Sequence, residues 1–431
     1  MSKAIKVGFL GCGIVGGGAA RILLEHAAEI RQRAGVPVEI GRVAVRSLSK
    51  PREVELPAEL WTTDPWEVVN DASIDVIVVV MGGVEPARDL IVQALKSGKH
   101  VVTANKELLS TVGREVTDAA DSAGVDLLFE AAVAGGIPII RPMKESLSGD
   151  RIHRVMGIVN GTTNYILTRM SETGESFAEA LTEAERLGYT ELDPTADIEG
   201  FDAAAKLSIL ASLAFNARLV AGDVHREGIT AVTPADISAA HEMGYEVKLL
   251  AIAEMDDGQV SAHVHPAMIP RTHPLASVRD VFNAVFIEGE EVGELMFFGR
   301  GAGGAPTGSA VVGDIVEIAR HIKDGGHAVG CTCYHDRATI RSEDEAKVRY
   351  YVVLSVLDQP GVLASVASVF AKERVSIASV RQEGSGDEAT LALITHSGTE
   401  GQHQATFAGL RDLDAVKGIE STMRVVGTSE G

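Results

Sequence analysis

The feature that most constrains this chain is its opening, "IKVGFLGCGIVGGGAARILLEHA", residues 5–27. An apolar run, Ile5 to Leu10, is followed at once by Gly11, Gly13 and Gly16 in the spacing G-x-G-x-x-G, and then by a helix-periodic segment from Ile14. Only a tight strand-to-helix turn needs glycine at those three places. Gly11 makes the turn, Gly13 lets backbone approach a pyrophosphate, and Gly16 lets the helix pack on the strand. Ile14 and Val15 open the helix, whose N-terminus faces the phosphates. Strands are expected at Val38–Val45, Asp75–Val80, Lys99–Thr103 and Val125–Val133, with helices at Glu85–Lys96 and Lys106–Ser122. That alternation implies an α/β fold with a doubly wound parallel sheet of Rossmann type.

The second expected strand ends in "RVAVRSLSK", with Arg46, Ser47 and Lys50 and no acidic residue. An acid there suits the ribose hydroxyls of NAD, whereas basic groups suit the 2′-phosphate of NADP. NADP is therefore the expected cofactor, with NAD as the alternative, and Gly82 after the next strand as a further contact. The junction "VVTANKELL" sets Lys106 at the start of a helix. A cation there opposes the helix dipole, and the carboxyl edge of such a sheet is where ligands bind.

The middle of the chain carries an unusual charge. In "DIEGFDAAAKLSILASLAF", residues 197–215, Asp202, Lys206, Ile209 and Leu213 share one helical stripe on a helix apolar nearly all round. Asp202 and Lys206 stand one turn apart. A structural ion pair and a desolvated proton donor are both compatible with that spacing. Between Glu183 and Asp202 seven acids face a single Arg186, and those after "LGYT" lie in a Pro-containing loop suited to a ligand with an amino group.

The stretch "AERLGYTELDPTADIEGFDAAAK", residues 184–206, resembles the signature of homoserine dehydrogenases at Ala184, Gly188, Asp193, Pro194, Asp197, Gly200, Asp202 and Lys206. "GIVNGTTNYIL" (157–167), the "TANK" junction and "FFGRGAGGAPTGSAV" (297–311) resemble the same family, so the likeness spans the chain. It implies reduction of L-aspartate 4-semialdehyde to L-homoserine by NAD(P)H. It further implies Lys206 as general acid, Lys106 as electrostatic aid and Asp202 as orienting partner. Substrate would be held by Glu191 and Asp197, with Gly161 and Thr162 beside them, and Gly188 and Gly303 would approach the cofactor. A monovalent cation such as sodium is implied at "EAAVAGGIP", through Glu130, Val133, Gly135 and Ile137.

Past residue 347 the pattern reads βαββαβ, a ferredoxin-like plait. "DQPGVLASVASVFA" (358–371) resembles the start of ACT domains, which implies a regulatory amino acid, with threonine the expected effector. The expected organisation is a nucleotide-binding domain over 1–134, completed by part of 300–325, then an α+β substrate and dimerisation domain over 135–325. A linker strand over 326–347 and an ACT domain over 348–431 follow. "HAVGCTCYHD" (327–336) is read as linker, since C-x-C is not the usual zinc spacing.

A net charge of −21 argues against nucleic acid as partner. The longest apolar run, Ile74–Met81, is too short to span a bilayer, and the N-terminal glycines come too early for a signal peptide. Three cysteines are too few for a disulfide framework, and a reducing cytoplasm is expected. A homodimer or homotetramer is the expected state. Two alternatives stay open: another nicotinamide-dependent dehydrogenase with an ACT tail, and a non-catalytic amino-acid sensor.

Overall fold

The computed structural model describes residues 3–190, 192–328, 330, 332–384 and 388–427. The chain opens with β1 (Ile5–Leu10), α1 (Ile14–Glu25), α2 (Ala27–Ala34), β2 (Val38–Ala44), β3 (Trp61–Thr62) and α3 (Pro65–Val69). It continues through β4 (Val76–Val79), α4 (Ala87–Lys96), β5 (His100–Thr103), α5 (Lys106–Ala123) and β6 (Leu127–Leu128). The strands form a parallel sheet in the order β3-β2-β1-β4-β5-β6, the doubly wound order of a dinucleotide-binding fold. Its central strands are buried on both faces: Val76, Ile77, Val78 and Val79 are fully covered.

The strand expected over Val125–Val133 is shorter. It ends after Leu128, and Glu130–Ala132 turn into a 3-10 helix, because the Glu130 carboxylate accepts hydrogen bonds from the N–H groups of Ile139, Ile140 and Arg141 and folds the chain back.

A second, larger sheet follows. β7 (Ile152–Ile158) leads to α6 (Gly161–Thr173), α7 (Phe177–Arg186), α8 (Thr195–Ile198) and α9 (Phe201–Phe215). After β8 (His225–Arg226) and α10 (Pro234–Glu242) come β9 (Tyr245–Asp256), β10 (Gln259–Pro270), β11 (Phe282–Gly289), β12 (Gly293–Arg300) and α11 (Gly304–Asp324). The tail supplies β13 (Lys347–Val348), β14 (Tyr350–Leu357), α12 (Val362–Lys372), β15 (Ile377–Gly384), β16 (Glu388–Thr395), β17 (Gly398–Thr399), α13 (Glu400–Arg411) and β18 (Val416–Val425). The βαββαβ pattern expected there is present. Its sheet is not separate, however: β18 pairs in parallel with β10 at Ala267↔Arg424 and Met268↔Val425, giving the continuous order β12-β11-β7-β9-β10-β18-β14-β16-β15.

The linker departs from the expected strand. Among its described residues the stretch 326–346 makes 3-10 turns at Thr332–Tyr334 and Glu343–Glu345 and isolated bridges at Arg218↔Arg337 and Val260↔Ile340. Cys12 is a free thiol, whereas Cys333 is buried and disulfide-bonded; a count of cysteines carries no information about which of them meet. Cys331 lies outside the described residues.

Helix α11 returns to the first sheet and packs on α1, its Val311, Ile315 and Ala319 sharing a core with Val7, Phe9 and Val78. The crossing is closed to side chains. A Cβ at Gly18 would collide with the Gly304 carbonyl, and one at Gly308 would stand 2.7 Å from the Ala19 nitrogen. Gly308→Ala is therefore expected to lower stability by about 1–3 kcal/mol, the usual effect of overpacking. Denaturant unfolding checks it, and an unchanged midpoint would show that the helices can separate at no cost.

Candidate active site

The site forms where α5, rising from the carboxyl edge of the parallel sheet, meets α9 under the second sheet. Gly200 adopts φ +78°, which breaks the chain between α8 and α9 and lets Asp202 enter in the first turn of a new helix. The helix stretch quoted as one run from Asp197 is thus two helices, and the break separates the two key acids. Ala203, Ala204, Leu207 and Leu210 bury the rest of α9, so Asp202 and Lys206 are held by packing, with side chains only 9% and 12% exposed.

Asp202 is shared between two ammonium groups. Lys206 Nζ donates to its Oδ2 at 2.7 Å, and Lys106 Nζ lies 2.9 Å from its Oδ1. Lys206 also donates to the Val159 carbonyl at 2.7 Å, so two of its three N–H bonds are committed and one is left for a ligand oxygen. Burial by itself would raise the Asp202 carboxyl. The charges of Lys206 and Lys106, with hydrogen bonds from Lys206 and Asn160, outweigh it and hold the group far below the usual carboxylate range.

Lys106 is positioned from the first domain. Asn105 caps α5 by accepting from Leu108 N at 3.0 Å, while its Nδ2 donates to the carbonyls of Met81 and Gly83 at 3.1 and 2.6 Å. The turn carrying Gly82 and the residue facing Asp202 are therefore tied together.

Asn160 was not among the residues singled out from sequence. Its Nδ2 donates to Asp197 Oδ1 at 2.7 Å and to Asp202 Oδ2 at 2.9 Å, while its Oδ1 caps α6 by accepting from Thr163 N at 2.9 Å. It joins the two acids across the Gly200 break. Burial raises the Asp197 carboxyl; the Asn160 hydrogen bond opposes this and the nearby Asp202 charge adds to it. Thr162 Oγ donates to the Tyr189 carbonyl at 2.7 Å, and Gly161 packs so closely on Val281 O that a Cβ would stand 2.8 Å from it. Glu191 lies outside the described residues. Asn160 lies within the stretch 157–167 that resembles the family, but by its own position before the apolar-periodic α6 it reads only as a cap.

Beyond the first sheet's edge lies a cleft of about 560 Å³ lined by Gly11, Gly13, Ile14, Arg46, Lys50 and Gly82. Arg52 lines it too and was also missed. It donates to the Lys50 carbonyl at 2.8 Å and stacks 5.0 Å from the Trp61 ring centre, bracing the basic loop. Among the described lining residues Glu53 is the one carboxylate against Arg46, Lys50 and Arg52. A Cβ at Gly13 would enter open space in the cleft, whereas one at Gly16 would meet the Gly11 carbonyl at 2.5 Å. Gly13 thus leaves room for a ligand and Gly16 serves packing. Val15 packs inward and does not line the cleft. Gly303, at φ +118°, caps α11 beside Gly304, whose Cβ position abuts the Ile14 carbonyl at 3.0 Å. Gly188, at φ +74°, ends the turn after α7 and is not in that lining.

Three family models match the chain: the homoserine dehydrogenase NAD-binding domain over 11–130, homoserine dehydrogenase over 138–316, and the ACT domain over 350–406. Homoserine dehydrogenase of Mycobacterium tuberculosis is 50% identical over 437 residues, covering 99% of this chain and 98% of the relative. This chain belongs to the homoserine dehydrogenase family. The crystal structure of a homoserine dehydrogenase from Thiobacillus denitrificans superposes with a TM-score of 0.92 at 41% identity, covering 99% of each chain. A hyperthermophilic archaeal homoserine dehydrogenase mutant in complex with NADPH covers 73% of this chain and 98% of its own, at 29% identity and a TM-score of 0.63. The chain is an NAD(P)-dependent oxidoreductase acting on a CH–OH group, and the two alternative readings of the sequence fall away. No helix among the described residues is long and apolar enough to cross a membrane.

Asn160→Ser keeps a cap for α6 but removes the amide donor, whereas Asn160→Ala removes both. A hydrogen bond to a charged group contributes about 1.5–3 kcal/mol, equivalent to roughly one to two pH units. Burial already raises the Asp197 carboxyl, and the substrate-holding role proposed for it below requires the ionised form. The acid limb of kcat/KM is therefore expected to move up by about one unit or more in Asn160→Ser, with Asn160→Ala, which also loses the cap, melting lower than Asn160→Ser. An unmoved limb would leave Asn160 as a cap alone.

Proposed function

We propose that the enzyme interconverts L-aspartate 4-semialdehyde and L-homoserine with Lys206 as the general acid. The observation that carries this is the Asp202 carboxylate bridging Lys206 and Lys106 beneath the edge of the nucleotide cleft. A bound reduced nicotinamide supplies hydride to the aldehyde carbon. Lys206 directs its remaining N–H at the aldehyde oxygen and gives up that proton as the alkoxide develops. Lys106 stabilises the same oxygen electrostatically, in a pocket where burial strengthens the attraction. Asp202 holds both ammonium groups in place through its two carboxylate oxygens. Glu191 and Asp197 hold substrate polar groups, Glu191 the α-ammonium, with Gly161 and Thr162 lining the same wall.

NADP is the proposed cofactor. The support is the basic loop itself: Arg46, Ser47 and Lys50 line the cleft at the end of β2, with Arg52 bracing them. Gly303, capping α11 beside the start of α1, is proposed to approach the cofactor through backbone, and Gly188 to do so from the turn after α7, outside that lining. For the monovalent cation at Glu130, Val133, Gly135 and Ile137, main-chain oxygens are the proposed donors, because the Glu130 carboxylate is engaged by three N–H groups. Successive left-handed residues, Ala134 at φ +54° and Gly135 at φ +52°, turn that loop sharply.

The ACT segment supports regulation by an amino acid, with threonine proposed at the loop 358–361 before α12. A homodimer or homotetramer in the cytoplasm is proposed. Exposed Met296 and Phe298 on the edge strand β12 support self-association.

Cofactor oxidation with aspartate semialdehyde tests these readings. Lys206→Ala is expected to lose about 10²–10⁴-fold in kcat, the scale of general acid catalysis; full retention would reject its role. Arg46→Ala is expected to raise KM for NADPH about tenfold or more, from the loss of a charge-assisted hydrogen bond, and to leave NADH unaffected. Because β18 completes the sheet beside β10, deletion of the tail would strip that edge, so the effector reading is better tested by Asp358→Ala. That variant should need more threonine for the same inhibition; an unchanged titration would reject the loop as the site.

A further inference from the structure

Two strands share one edge of β10. β8 lies beside it at His263 and Val264, and the end of β18 lies beside it at Ala267 and Met268. Arg226 faces Val264, so Glu227 comes next to His265, on the same side of the sheet as Ala267 and its neighbour Arg424. The two side chains meet there: Arg424 Nη1 donates to Glu227 Oε1 at 2.7 Å.

Arg424 is 7% exposed and is gripped by the C-terminal plait. Its Nε and Nη2 each lie 3.3 Å from Glu400 Oε2 on α13, and the Tyr350 hydroxyl donates to the other oxygen of that carboxylate at 2.8 Å. A role inside the plait needs no more than these contacts. The bond to Glu227 reaches beyond it, into the domain that carries the reaction. Arginine suits such a post, because its planar fork serves two carboxylates at once, Glu400 from one edge and Glu227 from another.

From Glu227 the chain runs directly beneath the break between α8 and α9. Ile229, fully buried, donates its N–H to the Ile198 carbonyl at 2.9 Å. A Cβ on Gly228 would stand 2.4 Å from that same carbonyl, and one on Gly200 would stand 3.6 Å from the Glu227 carbonyl. Residues 227–229 are therefore the floor under Ile198 and Gly200. Asp197 precedes Ile198 on α8, a helix of four residues, whereas Asp202 is held by Lys206, Lys106 and the packing of α9. A shift of the floor reaches Asp197 first.

We infer that Arg424 is a positioning residue for the substrate: through Glu227 it presses residues 227–229 against Ile198 and so fixes the Asp197 carboxylate. The inference rests on the reading of Asp197 as a substrate-holding residue.

Steady-state kinetics of the full-length enzyme with aspartate semialdehyde and NADPH test it. Glu227 is 46% exposed, so Glu227→Ala cuts the bridge while leaving Arg424 on Glu400. That variant is expected to raise KM for aspartate semialdehyde about threefold to tenfold, the scale of coupling through packed neighbours. Its kcat and its KM for NADPH should stay within about twofold of wild type, the pattern of lost substrate binding. Glu227→Gln, whose amide oxygen still accepts from Arg424, should restore most of the affinity. If Glu227→Ala misfolds, Arg424→Lys gives the same reading, since it keeps a charge on Glu400 without the fork. An unchanged KM for aspartate semialdehyde in the folded variant would overturn the inference. So would equal damage to kcat and both KM values, or a Gln variant as impaired as the Ala one. Asp197→Ala, measured alongside, separates the two claims. An unchanged KM there would reject the reading of Asp197 together with the inference. A raised KM there with an unchanged KM in Glu227→Ala would reject the inference alone.

Discussion

One carboxylate between two ammonium groups holds the centre of this enzyme together. Asp202 is buried, and a buried carboxylate is tolerated only when its charge is answered at close range. Lys206 answers it from one turn along the same helix, and Lys106 from the first turn of a helix belonging to the other sheet. Neither lysine is well placed alone. Lys206 stands on an apolar helix, and Lys106 sits at a helix N-terminus whose dipole repels it. The shared acid turns two unfavourable placements into one mutually satisfied cluster.

That cluster depends on backbone details far from any charge. Gly200 in the left-handed region ends α8 and starts α9, so Asp197 and Asp202 face each other with Asn160 between them. The close crossing of α1 and α11 at Gly18, Gly304 and Gly308 fixes the nucleotide cleft against the chain that returns from the second sheet. The continuous sheet through β10 and β18 then makes the C-terminal plait part of the same body. Arg424, on β18, reaches Glu227 at 2.7 Å, two residues before Ile229 and its hydrogen bond to Ile198.

Much of this was legible in the sequence, because the constraints involved are local. The glycine spacing after β1 needs no partner to be recognised, and neither does the period of α9 or the i, i+4 pairing of Asp202 with Lys206. The βαββαβ order of the tail followed from alternation alone. What escaped depends on contacts between distant segments. Asn160 reads as an ordinary helix cap until Asp197 and Asp202 are folded over it. Arg52 reads as a loop charge until Trp61 comes beneath it. The short β6 came from Glu130 capturing N–H groups nine to eleven residues on, and the fused sheet from two residue pairs joining strands more than 150 positions apart. A hydrophobic pattern contains neither.

The central claim is that Lys106 acts through Asp202, the acid it shares with Lys206, and a double-mutant cycle between Lys106 and Asp202 addresses it most directly. kcat/KM would be measured for Lys106→Ala, Asp202→Asn and the double variant. If Lys106 is aimed by Asp202, the double variant should be little worse than the more damaged single one. Losses that simply multiply would contradict that account, because they would show the two residues contributing independently.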